Sequence, residues 1–243
     1  MRRGLKLIEV VTACDKLHYS ELCFSIRTHR LFKPDLLKQP WLIFYDESQV
    51  HVGWLELLGL PKARFIPWSV DYECSQRAKM LSAFVLGVAK HCQQSWYYKL
   101  DCDTISTSRA PWFKPEWMEG NPAWCGQKWG YTKPRSMLDE LDKWADTVPE
   151  LRDLPAPARE IRGDVAKHRR LISWAMLGNT EWLRKIVSWM DGRMPCDSQD
   201  TTISYVSSRL GSPVKYVDMK ACGLSHVGRG GARLEQAVAE VLA

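Results

Sequence analysis

The chain of 243 residues has no run approaching the roughly 20 apolar residues that a membrane-crossing helix needs. It has eight cysteines but no C-x-x-C pair and no regular cysteine spacing, which argues against a disulfide scaffold and for a reducing compartment. Cys74, Cys92 and Cys222 sit among apolar neighbours, where cysteine behaves as a small core residue. There is no Asn-x-Ser/Thr sequon. The start is basic (Arg2, Arg3, Lys6), but Lys6 and Glu9 interrupt the apolar run and make it a poor signal peptide. A cytoplasmic protein is therefore expected. The absence of G-x-x-x-x-G-K-[ST] excludes a P-loop kinase. Gly228-Arg-Gly-Gly is not G-x-G-x-x-G and follows no suitable first strand, which argues against a dinucleotide enzyme. No internal repeat is present.

What is present is ordinary globular material, with 45% hydrophobic and 26% charged residues. The length suits one large α/β domain or two small ones. A net charge of +6 is moderate, but the positives cluster at Arg2–Lys6, at Arg27, His29, Arg30 and Lys33, and at Lys167–Arg170. Such clusters attract anions, nucleic acid included, although a solvated face is the favoured reading of any single one.

One stretch concentrates the chemistry. Trp96-Tyr97-Tyr98-Lys99-Leu100 reads as a buried strand and delivers Asp101-Cys102-Asp103. Along an extended chain residues i and i+2 point to the same side, so both acids are expected to face one point beyond the strand end. Hard divalent cations take carboxylate oxygens, and magnesium or manganese keeps positions open for a substrate's phosphates. Asp101 and Asp103 are thus the candidate metal ligands.

Hydrophobic periodicity supplies the setting. Strands are expected at Lys6–Ala13, Trp41–Tyr45, Arg64–Trp68 and Trp96–Leu100. Between them lie a helix capped by Asp15 and carrying Leu22, Ile26 and Leu31, a short helix over Val52–Leu58, and an amphipathic helix over Cys74–Cys92. This alternation predicts a parallel sheet with right-handed crossovers. Ligands in such sheets bind beyond the carboxyl ends of the strands, where Thr12–Asp15, Tyr45–Ser48 and Asp101–Asp103 all fall. Further along, Trp112–Tyr131 is rich in aromatics that either fill the core or stack on sugars or bases at a cleft. Pro149–Gly163 reads as a mobile surface loop. A strand at Leu171–Leu177, helices at Thr180–Met190 and Gln199–Leu210, a strand at Val214–Val217 and a small terminal helix complete the chain.

This order resembles the GT-A-fold glycosyltransferases, the metal-dependent class that uses nucleotide-sugar donors. The likeness spans residues 6 to about 230. It rests on Thr12-Ala13-Cys14-Asp15 after the first strand, Arg77 and Lys79 on the helix before Asp101-Cys102-Asp103, Ile172–Trp182, Ser198-Gln199-Asp200, and His226-x-Gly228. The resemblance implies one α/β domain, Rossmann-like, with a central, mostly parallel sheet flanked by helices. Residues 1–105 would form the nucleotide-sugar half and 106–243 the acceptor half.

It also implies roles. Thr12, Ala13, Asp15, Tyr45, Arg77, Lys79, Asp101, Gly228 and Arg229 would meet the donor, expected to be a UDP-sugar. Asp101, Asp103 and His226 would hold Mn2+ or Mg2+. Asp200 would be the general base of an inverting reaction, with Asp197 competing for that role; an acid in the first turn of a helix also simply favours the helix dipole. The Gly-rich N-terminal loop of a sugar nucleotidyltransferase is missing. The acceptor stays open between a hydroxymethylated pyrimidine in DNA, drawn from the stack into an aromatic pocket, a glycan and a protein. The alternative from another class is a non-catalytic nucleic-acid-binding protein with a basic, Trp-rich surface.

Overall fold

The computed structural model describes residues 8–68, 75–157, 160–162, 165–228 and 231–242. In chain order the elements are β1 (Ile8–Cys14), α1 (Lys16–Phe32), α2 (Pro34–Leu37), β2 (Trp41–Tyr45), α3 (Val52–Glu56), β3 (Ala63–Pro67), α4 (Gln76–His91), β4 (Trp96–Leu100) and β5 (Thr104–Ser106). There follow β6 (Trp124–Pro134), α5 (Arg135–Thr147), α6 (Pro149–Arg152), β7 (Glu160–Arg162), β8 (Val165–Asn179), α7 (Thr180–Val187), α8 (Gln199–Arg209), β9 (Val214–Tyr216), β10 (Leu224–His226) and α9 (Gly231–Leu242). Among the described residues no helix is long and apolar enough to cross a membrane.

The main sheet runs β3-β2-β1-β4-β8-β6-β9, with β7 added beside β8. The first four strands are parallel; β8 alone lies antiparallel between β4 and β6, and β9 is parallel to β6. Period-two alternation divides the core between the two faces. Val11, Leu42, Phe44 and Tyr97 point into one apolar layer with Phe84, Val85 and Val88 of α4. Val10, Ile43, Trp96 and Tyr98 point into the other, with Leu22 and Ile26 of α1. The sheet is covered on both faces, which is why these strands read as near-continuous hydrophobic runs.

Several expectations are corrected. Leu31 does not join the buried face of α1; it is 46% exposed, because the helix's inward stripe passes through Ser25, Ile26, Thr28 and His29 instead. Pro149–Gly163 is not simply a loop: Pro149 starts α6 and Glu160–Arg162 pairs with β8. The strand expected at Leu171–Leu177 is the end of the 15-residue β8, which pairs antiparallel with β6 along the length of that strand. The basic run Lys167–Arg170 concealed that strand, since its apolar pattern begins only at Leu171; the side chains there lie outside the described residues.

The basic grouping at Arg27–Lys33 is also not one solvated face. His29 is wholly buried, with Nδ1 2.7 Å from Ser106 Oγ and Nε2 3.0 Å from Ser25 Oγ, and burial holds its pKa down at about 3. Lys33 donates to the carbonyls of Ser108, Ala110 and Cys222 at 3.0, 2.6 and 2.7 Å, and burial lowers its ammonium to about 8. Only Arg27 and Arg30 of that group are exposed. The cluster is largely a clasp that ties the end of α1 to the chain on either side of β5 and β10.

Candidate metal and donor site

β4 ends at Leu100, and the next residues leave the sheet in a turn closed by the Thr104 N–H on the Asp101 carbonyl at 3.0 Å. The two acids therefore do not converge as neighbours on one extended strand. They converge because this turn is pinned from β8. The Asp101 N–H donates to the Trp174 carbonyl at 2.8 Å, and Thr104 Oγ1 donates to the same oxygen at 3.2 Å.

The third ligand arrives through β5, whose antiparallel ladder with β10 sets His226 opposite Thr104. The Val227 N–H then donates to the Asp103 carbonyl at 3.2 Å. Gly223, which leads into β10, has φ +62°, and a Cβ there would fall 2.1 Å from Ser108 Oγ, so only glycine fits the approach. The His226 ring stacks on the buried Trp174 ring, with centroids 5.8 Å apart and planes at 23°. Trp174 thus supports two of the three ligands, one through its carbonyl and one through its ring.

Among the described residues Asp101, Asp103 and His226 are the group that could hold a metal ion, each offering one atom with all of these atoms within 4.8 Å of one another. His226 Nε2 lies 3.2 Å from Asp103 Oδ2 and 3.9 Å from Asp101 Oδ2. Neighbouring and opposite ligands of a six-coordinate ion at about 2.1 Å would be about 3.0 and 4.2 Å apart, so the spacing and the O/N donors fit magnesium or manganese. Burial alone would raise the Asp103 carboxyl, but the hydrogen bond and charge of His226, with help from His18, bring it below its ordinary value. Burial alone would lower the His226 imidazolium; the Asp103 hydrogen bond and the charges of both acids outweigh it and raise the pKa. Both acids thus favour the protonated form of the His226 imidazole.

The other candidates take varied places. Thr12 is buried, with its hydroxyl 3.5 Å from Cys102 Sγ, and the Ala13 carbonyl accepts from that thiol at 3.2 Å. Asp15 caps α1, taking the His18 N–H at 3.0 Å on Oδ1, where His18 Nδ1 also lies at 2.6 Å. Its carboxyl is held below the ordinary value, the His18 contacts overcoming a burial effect of opposite sign. Tyr45 is 8% exposed and packs in the core layer below α1. Lys79 is half-buried in the first turn of α4; the side chain of Arg77 and all of Arg229 lie outside the described residues. Gly228 has φ +80°, a conformation that favours glycine.

Asp200 stands in the first turn of α8, half-buried, while Asp197 is exposed. Ser207 near the other end of α8 accepts from Trp124 Nε1 at 2.6 Å, and Trp124 begins β6 at the amino edge of the sheet. This bond ties the far end of α8 to the start of β6.

Sequence reasoning missed Lys99. It is 5% exposed, it lies two residues before Asp101, and its ammonium is paired with Asp101 Oδ1. The one available signal was a lysine inside an otherwise apolar and aromatic strand.

No protein-family model matches the chain, and no curated protein matches it in sequence. Solved structures do match. Core-mannan synthase A (CmsA/Ktr4) from Aspergillus fumigatus, in its Mn/GDP form, superposes with a TM-score of 0.61 at 10% identity, over 93% of this chain and 76% of that one. The mannosyltransferase Ktr4p from S. cerevisiae gives 0.58 at 8% identity, over 91% and 70%. The galactosyltransferase LgtC, in complex with donor and acceptor sugar analogs, gives 0.53 at 11%, over 97% of each chain. These likenesses show the fold: the chain has the GT-A architecture, a mostly parallel central sheet flanked by helices.

Proposed function

We propose that the protein is a metal-dependent glycosyltransferase that moves a sugar from a nucleotide-diphosphate sugar to a hydroxyl acceptor. The observation that carries this reading is the meeting of Asp101, Asp103 and His226 at the carboxyl ends of the strands in a GT-A sheet. A Mn2+ or Mg2+ ion held there would supply charge for the departing diphosphate. The bond from the anomeric carbon to the diphosphate oxygen breaks, and one to the acceptor oxygen forms. In an inverting reaction the acceptor hydroxyl would give its proton to Asp200, in the first turn of α8, with the exposed Asp197 competing for that role. Lys79, Arg77 and Arg229 would supply fixed positive charge to the phosphates, and Thr12, Ala13, Asp15, Tyr45 and Gly228 would line the donor cleft. Residues 1–105 form the donor half and 106–243 the acceptor half, and the setting is cytoplasmic.

The donor to test first is a UDP-sugar, with GDP-sugars beside it because GDP appears in one of the similar structures. The acceptor to test first is DNA carrying a hydroxymethylated pyrimidine. What supports it is the antiparallel β6–β8 pair, which continues past the β4 end with Lys167, His168, Arg169 and Arg170 in its chain. Arg170 and Trp174 are on one strand, so charge reversal at Arg169 and Arg170 does not probe the acceptor independently of the metal site. The test is a panel of nucleotide sugars with Mn2+, followed by DNA binding across a salt series. Metal-dependent donor hydrolysis is expected, and its absence for every sugar with either metal would overturn the reading. Duplex binding that ignores salt would return the acceptor to a glycan or protein.

A further inference from the structure

Lys99 poses a physical problem that the proposed reaction does not explain. A lysine buried within a sheet must have its charge compensated, and this one sits on the face of β4 that packs against α4. Its ammonium lies 5.3 Å from the centre of the Phe84 ring. Its carboxylate partner is Asp101, just past the end of the strand. The pairing divides the two oxygens of that carboxylate between different tasks. Oδ1 is taken by Lys99, while Oδ2 faces His226 Nε2 at 3.9 Å and, beyond it, Asp103 Oδ2.

We infer that Lys99 is a positioning residue which fixes Asp101 as a one-oxygen ligand to the metal ion. This inference rests on the metal-site reading above and deepens it. An Asp101 free to turn could close both oxygens on the ion. Held by one oxygen, it contributes a single position, as do Asp103 and His226. About three of six positions then stay open for diphosphate oxygens and water. Lys99 acts on the site through Asp101 and is itself no ligand of the ion.

The experiment titrates Mn2+ alone into the purified full chain, with free ion measured by electron paramagnetic resonance. The proteins are wild type, Lys99→Met, Lys99→Arg, Asp101→Asn and the Lys99→Met/Asp101→Asn double variant, each checked by circular dichroism and thermal unfolding. Methionine keeps the length and the contact with Phe84, and arginine keeps the charge. Lys99→Met is expected to bind Mn2+ about tenfold more weakly, as loss of an outer partner of a ligand typically does. Lys99→Arg should recover most of that loss, and in the Asp101→Asn background Lys99→Met should add less than about a twofold change. Binding within twofold of wild type would overturn the inference, as would an equal loss in both backgrounds. Tighter binding would also overturn it, because the ammonium would then act only as a charge repelling the ion. If Lys99→Met does not fold, the comparison of Lys99→Arg with wild type decides, since a one-oxygen anchor tolerates a guanidinium with no more than a modest loss. No Mn2+ binding by the wild type would instead sink the metal-site reading itself.

Discussion

The two edges of the sheet treat buried carboxylates in opposite ways. At the amino edge Glu9 is 1% exposed and fully answered: Arg64 pairs with Oε1 at 2.5 Å, the Gln93 N–H donates to Oε2 at 2.7 Å, and Arg64 also reaches the His91 carbonyl. At the carboxyl edge two acids crowd one point, Asp103 with its carboxylate almost wholly buried, and Lys99, His226 and His18 offset their charge. The first arrangement closes a structure. The second stores charge that a dication would neutralise better than a proton does.

The largest expected effect separates the edges most sharply. Asp103→Asn and Asp101→Asn should each cut turnover by about a hundredfold or more, because an ion ligand is lost while no core volume changes. Thermal unfolding in the absence of metal should fall modestly, since Asp101→Asn leaves the buried Lys99 ammonium without its carboxylate and Asp103→Asn weakens the pairing with His226. Turnover that survives in both variants, and that chelator does not reduce, would erase the distinction between the edges.

Glu9→Gln should do the reverse. Removing one partner of a buried pair costs about 2 kcal/mol here, less than a fully enclosed pair because Arg64 is one-third exposed. Denaturant unfolding should show the loss, while activity per folded molecule and Mn2+ affinity stay at wild-type values. A large loss of activity without a loss of stability would mean that the amino edge too takes part in the chemistry.

A third effect turns on pH. The raised His226 pKa means that its pairing stabilises the metal-free protein below the ordinary imidazole range and is lost as pH rises through the folded value. The lowered Asp103 pKa means that its share is present above the ordinary carboxylate range and is lost as pH falls through the folded value. The pair therefore supports the metal-free protein most in mildly acid solution. A metal needs the neutral imidazole, so Mn2+ affinity should rise with pH, by up to about tenfold per unit below the His226 pKa, and then level off. His226→Ala should bind more weakly and lose that slope. An affinity that is flat from about pH 6 to pH 8 would show that His226 is no ligand.

The difference between the edges also explains what could be read from the sequence. β2 and β4 were legible to the residue, because strands covered on both faces form short apolar runs with sharp polar ends. Asp101, Asp103 and His226 were legible as residue types in order, and Asp15 as a helix cap. The turn at Asp101 and its anchor on the Trp174 carbonyl were not, because a backbone acceptor has no side-chain signature. Lys33 and His29 read as surface charge because lysine and histidine near the end of a helix usually are; their burial depends on carbonyls and hydroxyls that come from distant parts of the chain. Lys99 was overlooked for the same reason, since its partner explains it and its own type does not.

The smallest expected effect concerns Asp15, which belongs to the carboxyl edge by position and to the closed kind of site by its contacts. Its Oδ1 is already committed to the His18 N–H and to His18 Nδ1. If capping is its whole role, Asp15→Ala should cost about 1 kcal/mol and Asp15→Asn only a few tenths, because asparagine caps nearly as well. Neither change should then alter the affinity for a nucleoside diphosphate. If the carboxylate also meets the donor, Asp15→Asn should weaken that affinity several-fold while stability stays almost unchanged, since the cap survives and the charge does not. Calorimetric titration of UDP and GDP with Mn2+ into the asparagine variant, beside its thermal unfolding, separates the two outcomes. A loss confined to stability would place Asp15 with Glu9 as part of the frame, and a loss confined to affinity would extend the incomplete edge from the metal site to the start of α1.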